Sequence, residues 1–85
     1  MSAAKLPKAK PSKAIADIRK HRLLLGANQM TFWKKYGTTQ SGGSRYETGR
    51  GMPNAVAMLI VLQEQGVLSD EQLAAALAIV QASQR

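Results

Sequence analysis

Apolar positions along the 85-residue chain fall into five helical blocks, parted by glycine or by short polar runs. The first block predicts a helix from about Lys13 to Leu25, with Ser12 as its N-cap. Ile15, Ile18, Arg22 and Leu25 recur at i, i+3, i+7 and i+10, one face of a 3.6-residue repeat. Leu23 and Leu24 widen that stripe, and Arg19, Lys20 and His21 are left largely toward solvent. The second block, Gln29–Tyr36, opens after Asn28 and sets Met30, Phe32, Trp33 and Tyr36 among polar residues. Gly37 then supplies the positive φ that ends a helix without a Cβ clash. Thr39 caps a third helix, Gln40 to about Thr48.

A fourth helix starts at Pro53 or Asn54 and reaches about Gln65. Its AVAMLIVL core is apolar on nearly every side, which predicts burial, with Val56, Leu59 and Ile60 toward the first three helices. After Gly66, Ser69 and Gln72 form a capping box, and Leu68 and Leu73 a hydrophobic staple, for a fifth helix over about Asp70–Ser83. Leu73, Leu77 and Val80 stripe that helix, and its alanines permit close helix–helix approach, as a lid on the fourth helix and as a subunit interface. The expected fold is all-α: a five-helix domain over residues 13–85, preceded by a flexible basic arm over residues 1–12. The arm carries lysines and prolines with almost nothing to bury, so ordering it would cost entropy without apolar return.

Charge sharpens this picture. The chain carries a net +7, unevenly placed. Residues 1–50 hold eleven Lys and Arg against Asp17 and Glu47, a balance of +9; residues 51–85 hold Arg85 against Glu64, Asp70 and Glu71, a balance of −2. A basic front half on a nearly neutral back half is the footprint expected of a nucleic-acid binder. Helix, glycine turn and a second helix opening on small polar side chains, over Gln29–Tyr46, make a helix-turn-helix unit, whose second helix enters the DNA major groove.

Within that unit Gln40 and Arg45 are the sharpest base-reading candidates, since Gln suits adenine N6/N7 and Arg suits guanine O6/N7; Ser41 and Ser44 are shorter partners for bases or phosphate. Gln29, at the first turn of its helix, is placed as a phosphate clamp, and Arg50 in the loop Gly49–Met52 is placed to touch the backbone. Lys34, Thr38 and Thr39 are further phosphate-contacting candidates, and Lys5, Lys8, Lys10 and Lys13 are those of the arm. Gly42 and Gly43 together cost roughly 2 kcal/mol relative to Ala in a helix interior, so each needs a reason of packing or access. For Gly42 close approach to DNA is one.

Residues 22–53 resemble the DNA-binding domain of phage Cro/repressor-type helix-turn-helix proteins over more than a third of the chain. The likeness is carried by Leu25-Gly26, Asn28-Gln29, Gly37, Thr39-Gln40-Ser41, Ser44-Arg45-Tyr46-Glu47, Gly49 and Pro53. Two positions depart from it: Trp33 stands where the family has a small Ala, and Gly43 where it has Ile or Val. An indole at the first position asks for vacated volume at the second, so the two departures read as one compensated change, with Trp33 in the core. The resemblance further implies a structural pair between Arg22 and Glu47, which would also let Arg22 reach a phosphate.

The implied function is a sequence-specific, double-stranded DNA-binding transcriptional regulator, a repressor by resemblance, working as a homodimer through the fourth and fifth helices on a palindromic operator. The alternative is a helical protein-interaction module whose basic charge is incidental. No cofactor, metal, small-molecule substrate or enzymatic activity is expected, because no nucleophile–base cluster, phosphate loop or metal-ligand spacing is present. Without cysteine, signal-peptide pattern or membrane-length apolar run, the expected location is cytoplasmic, at the nucleoid.

Overall fold

The computed structural model describes residues 10–84, all of whose regular structure is helical. Lys5 and Lys8, and with them most of the expected arm, lie outside the described residues. Six helices follow in order: α1 (Lys13–Ala16), α2 (Ile18–Leu24), α3 (Gln29–Lys34), α4 (Gln40–Glu47), α5 (Asn54–Glu64) and α6 (Asp70–Ser83). Lys13, counted with the arm's lysines, is the first residue of α1.

The single first helix expected from periodicity is two helices. Asp17 leaves the helical region at φ −147° and ψ 81°, and its carboxylate accepts from the Lys20 backbone N–H, capping α2 as Ser12 caps α1. A short acidic side chain that competes for backbone N–H groups restarts the helix although the apolar spacing runs on. The consequence reaches the surface. Ala14, Ile18 and Arg22 point inward, whereas Leu23, Leu24 and Leu25 are exposed, Leu24 by 77 %, so the widened stripe is not core.

The remaining caps are where the side-chain chemistry puts them. Asn28, Thr39 and Ser69 each accept from a backbone N–H three residues on, and Ser69 with Gln72 closes the capping box. Gly37 sits at φ +72° in the turn between α3 and α4.

The core is small and aromatic: Phe32 and Trp33 are fully buried with Ile60, joined by Ala14, Ile18, Tyr36 and Leu73. Phe32 meets the Trp33 and Tyr36 rings edge-on at 5.0 and 5.3 Å, geometries favoured by aromatic quadrupoles. Val56, Leu59 and Leu68 pack around this cluster, so α5 covers the front of the domain. A polar chain ties the back. Tyr36 Oη donates to Gln63 Oε1, Gln63 Nε2 donates to Asp70 Oδ1, and Lys35 Nζ reaches the same oxygen at 3.3 Å. Burial, then the nearby Asp70 charge, push the Tyr36 hydroxyl up to about 12. The expectation that the last helix closes over α5 holds at its first turn, where Leu73 is buried; beyond it Ile79 and Val80 are exposed.

Gly42 and Gly43 have separate explanations. A Cβ on Gly42 would lie 3.2 Å from Thr38 Cγ2 and 3.3 Å from Thr39 Oγ1, so the turn itself crowds this position. A Cβ on Gly43 would lie 2.5 Å from Trp33 Cδ2 and nearer still to Cγ and Cδ1. The indole occupies the volume of the missing side chain, and nothing flexible stands between them.

Gly43→Val is therefore expected to destabilise the domain. Helix propensity favours it by a few tenths of a kcal/mol, but forcing three carbons into a filled site costs typically 1–3 kcal/mol. In a Trp33→Ala background the same substitution should cost much less or stabilise. Urea melts of both single variants and the double measure the coupling; strictly additive effects would contradict this packing account.

Candidate nucleic-acid interface

The polar side of α4 is built from residues 40, 41, 44 and 45. At about 100° per residue these four fall within an arc of about 140°. Gln40, Ser41 and Arg45 are exposed and Ser44 is half-buried. Around the arc stand other sequence-predicted residues: exposed Lys34 at the end of α3, half-buried Thr38, exposed Thr39 at the N-cap, and exposed Arg50 beyond α4. Lys10 and Lys13 are exposed at the other end of the described chain. The structure thus gathers Gln29, Lys34, Thr38, Thr39 and the α4 residues around one helix-turn-helix, while the two lysines belong to the α1 end.

What anchors this surface is a buried anion. The Glu47 side chain, at the last residue of α4, is 1 % exposed. Arg22 Nε donates to its Oε2 at 2.7 Å and Arg22 Nη2 to its Oε1 at 3.1 Å, a two-pronged ion pair from α2. Trp33 Nε1 donates to Oε2 at 2.8 Å, and Gln29 Nε2 to Oε1 at 3.0 Å, both from α3. Burial pushes the carboxyl pKa up, but the hydrogen bonds from Arg22, Gln29 and Trp33 and the Arg22 charge outweigh it and hold the group below its ordinary 4.5. One carboxylate therefore joins α2, α3 and α4.

Two expectations change in this light. Arg22 is 7 % exposed, and its third inward bond, Nη1 to the Ala27 carbonyl at 2.9 Å, also ties down the loop after α2. It is an internal cation, withdrawn from the surface where a phosphate would sit. Gln29 spends its amide on protein partners: Nε2 on Glu47, and Oε1 on Gln40 Nε2 at 3.4 Å. It thereby joins Gln40 to the Glu47 cluster.

Trp33 is the partner of Glu47 that sequence reasoning placed only in the core. The available signal was its indole N–H, a donor that needs a partner when buried, in a segment whose one carboxylate is Glu47. Among the described residues no group of three or more His, Cys, Asp or Glu could hold a metal ion. Nor is any described helix long and apolar enough to cross a membrane.

A family model described as the RsaL-like HTH domain matches residues 19–63, from the start of α2 almost to the end of α5. The chain is also similar to a solved structure, that of the quorum-sensing repressor RsaL of Pseudomonas aeruginosa. The two share 32 % sequence identity at a TM-score of 0.67, over 76 % of this chain and 97 % of that one. No curated protein matches the chain.

Replacing Glu47 with Gln removes the anion but keeps the shape. One donor of the new amide then faces inward against donors, so Glu47→Gln should destabilise the fold by about 1–3 kcal/mol in thermal or urea melts. Because the folded pKa of Glu47 is depressed, its stabilising contribution is full above the unfolded value and is lost as pH falls through the folded one. The difference between wild type and Glu47→Gln should thus shrink as pH drops below about 4.5. A double-mutant cycle with Arg22→Met that shows no coupling would remove the ion pair from the account.

Proposed function

The chain belongs to the RsaL-like helix-turn-helix family, and from that premise we propose that it is a sequence-specific, double-stranded DNA-binding transcriptional repressor. In this reading it acts as a homodimer on a two-fold symmetric operator and works on DNA in the cytoplasm, at the nucleoid. The observation that carries the proposal is the polar arc of α4, held on a buried carboxylate that fixes its angle to α2 and α3. Gln40, Ser41, Ser44 and Arg45 read base edges from that arc. Lys34, Thr38, Thr39 and Arg50 contact phosphates beside it, joined by Gln29 through whatever its amide has to spare. The N-terminal lysines add phosphate contacts outside the helix-turn-helix. The sequence pattern shared with phage Cro/repressor-type proteins, Thr39-Gln40-Ser41 and Ser44-Arg45 above all, supports the same docking mode.

A second copy is the occupant that best suits the exposed apolar residues of α5 and α6. Met58 on α5 and Ile79 on α6 are exposed apolar residues in the half of the chain that carries −2 rather than +9, surface that a second copy would cover. Repression by the solved relative supports the sign of regulation proposed here.

Selection of binding sites from random duplexes by the purified chain tests the proposal. An inverted repeat with half-sites about 34 Å apart, or a multiple of that, is the expected result. An enriched site without a repeat would overturn the homodimer, and no enrichment at all would overturn sequence-specific binding. Placed over a promoter, the selected site should lower reporter expression.

Two variants test the residue roles. Arg45→Ala should lose about 1–3 kcal/mol of discrimination at one base pair while keeping much of its non-specific affinity. Equal weakening for every sequence would make Arg45 a phosphate contact. Deleting residues 1–11, which leaves the Ser12 cap in place, should leave the melting midpoint nearly unchanged. It should also flatten the log–log salt dependence of binding by roughly 0.9 for each phosphate contact removed. An unaltered slope would take the arm lysines out of the interface.

A further inference from the structure

We propose that Trp33 is a positioning residue for base reading: through Glu47 and Gln29 it sets which way the Gln40 amide presents its donor and its acceptor to a base pair. The inference rests on the proposed role of Gln40.

The argument starts from what each group can do. An ionised carboxylate only accepts hydrogen bonds, and an indole N–H only donates. Trp33 and Gln29 lie four residues apart on one face of α3, and each holds a different oxygen of Glu47: Trp33 takes Oε2 at 2.8 Å and Gln29 takes Oε1 at 3.0 Å. α3 therefore grips the carboxylate at two points, one helical turn apart. With an acceptor in front of it, Gln29 has one workable orientation, NH2 inward and carbonyl outward. That carbonyl faces Gln40 Nε2 at 3.4 Å, so the Gln40 amide is oriented in turn. Its nitrogen lies on the Gln29 side and its carbonyl on the far side.

This order matters at a base pair. In the major groove adenine shows an acceptor, N7, beside a donor, N6. A Gln40 amide fixed in both order and place matches adenine N7 and N6 when N7 lies toward Gln29; when the pair is reversed, the thymine methyl stands where N7 was. The relay thus sharpens the separation of A·T from T·A, because a freely moving glutamine could shift to thymine O4 and adenine N6 of the reversed pair.

Trp33 holds the start of this relay rigidly. It is 0 % exposed, its ring is braced edge-on by Phe32 at 5.0 Å and Tyr46 at 5.5 Å, and it reaches Glu47 through space that only a glycine at position 43 leaves open. Arg22 grips the same carboxylate from α2, but it does not register it against α3, where Gln29 sits. Without the indole N–H, Gln29 alone holds the carboxylate to α3, and the placing of the amides downstream loosens.

The test uses the full chain with Trp33→Phe, which keeps an aromatic ring and removes the N–H. Gln40→Ala first identifies the base pair that Gln40 reads, as the one whose preference it abolishes. At that pair, Trp33→Phe should lower the ratio of affinities for A·T over T·A by about fivefold or more, part of what a bidentate amide supplies. Affinity for non-specific duplex should stay within about twofold, a pattern that a merely structural role would not give. In the Gln40→Ala background Trp33→Phe should change no ratio. An unchanged ratio in Trp33→Phe, or equal weakening for every sequence, overturns the inference and leaves the reading of Gln40 standing. Gln40→Ala without loss of any base preference overturns that reading, and the inference with it.

Should Trp33→Phe melt at the assay temperature, the wild-type indole N–H resonance answers the same question. It should shift on binding the preferred site and shift less on binding the site with that pair reversed; no difference between the two overturns the relay.

Discussion

The fold of the helix-turn-helix depends on one buried charge. α4 has almost no apolar adhesion of its own: Gly43 is its buried residue and Tyr46 its one half-buried ring, while two glycines weaken the helix itself. Glu47 replaces that missing adhesion. Its carboxylate accepts from α2 and from two residues of α3, and the donors more than offset the cost of taking the anion out of water. Hydrophobic contact is tolerant of small rotations, whereas several hydrogen bonds converging on two oxygens are not. A helix held this way has a defined angle as well as a defined place, which is what a surface that meets base edges requires.

The aromatic core answers to the same constraint. Trp33 serves two masters, filling the gap over Gly43 with its ring and bonding Glu47 with its nitrogen. A smaller residue at position 33 would leave both a cavity and an under-satisfied carboxylate. A larger residue at position 43 would expel the indole from both roles. Packing and polar satisfaction are therefore coupled at one point, and neither member of the pair is free to change alone.

Much of this was legible in the residues. Helix positions followed from apolar spacing and from Ser12, Asn28, Thr39 and Ser69, whose side chains cap helices by local chemistry that needs no tertiary context. The volume exchange between Trp33 and Gly43 could be argued from size alone. The break at Asp17 was hidden because Ile15, Ile18 and Arg22 keep helical spacing across it, and spacing records faces rather than dihedrals. The exposure of Leu23–Leu25 followed from that break, together with the pull of Glu47 on Arg22, a long-range ion pair that no periodicity contains. Of the cluster formed by Arg22, Gln29, Trp33 and Glu47, only the Arg22–Glu47 pair was legible, and that through the family resemblance. The cluster's four members come from three helices, and their order of donor and acceptor exists only once those helices have met.

The last helix shows how the two halves of the chain divide the work. α6 anchors by Leu73, places Leu77 beside Gly37 of the turn, and otherwise leaves an apolar, alanine-rich side in solvent, with Ile79 67 % exposed. Such a helix gains too little from its own domain to explain its composition, since burying a side chain like Ile is worth roughly 1.5–3 kcal/mol that the isolated chain forgoes. The family model ends at residue 63, before this helix begins. On the proposed reading, a second copy meets α6 on its free side while Leu77 touches the turn between α3 and α4. The spacing of two recognition helices would then be set by one helix that contacts both the partner and the reading unit.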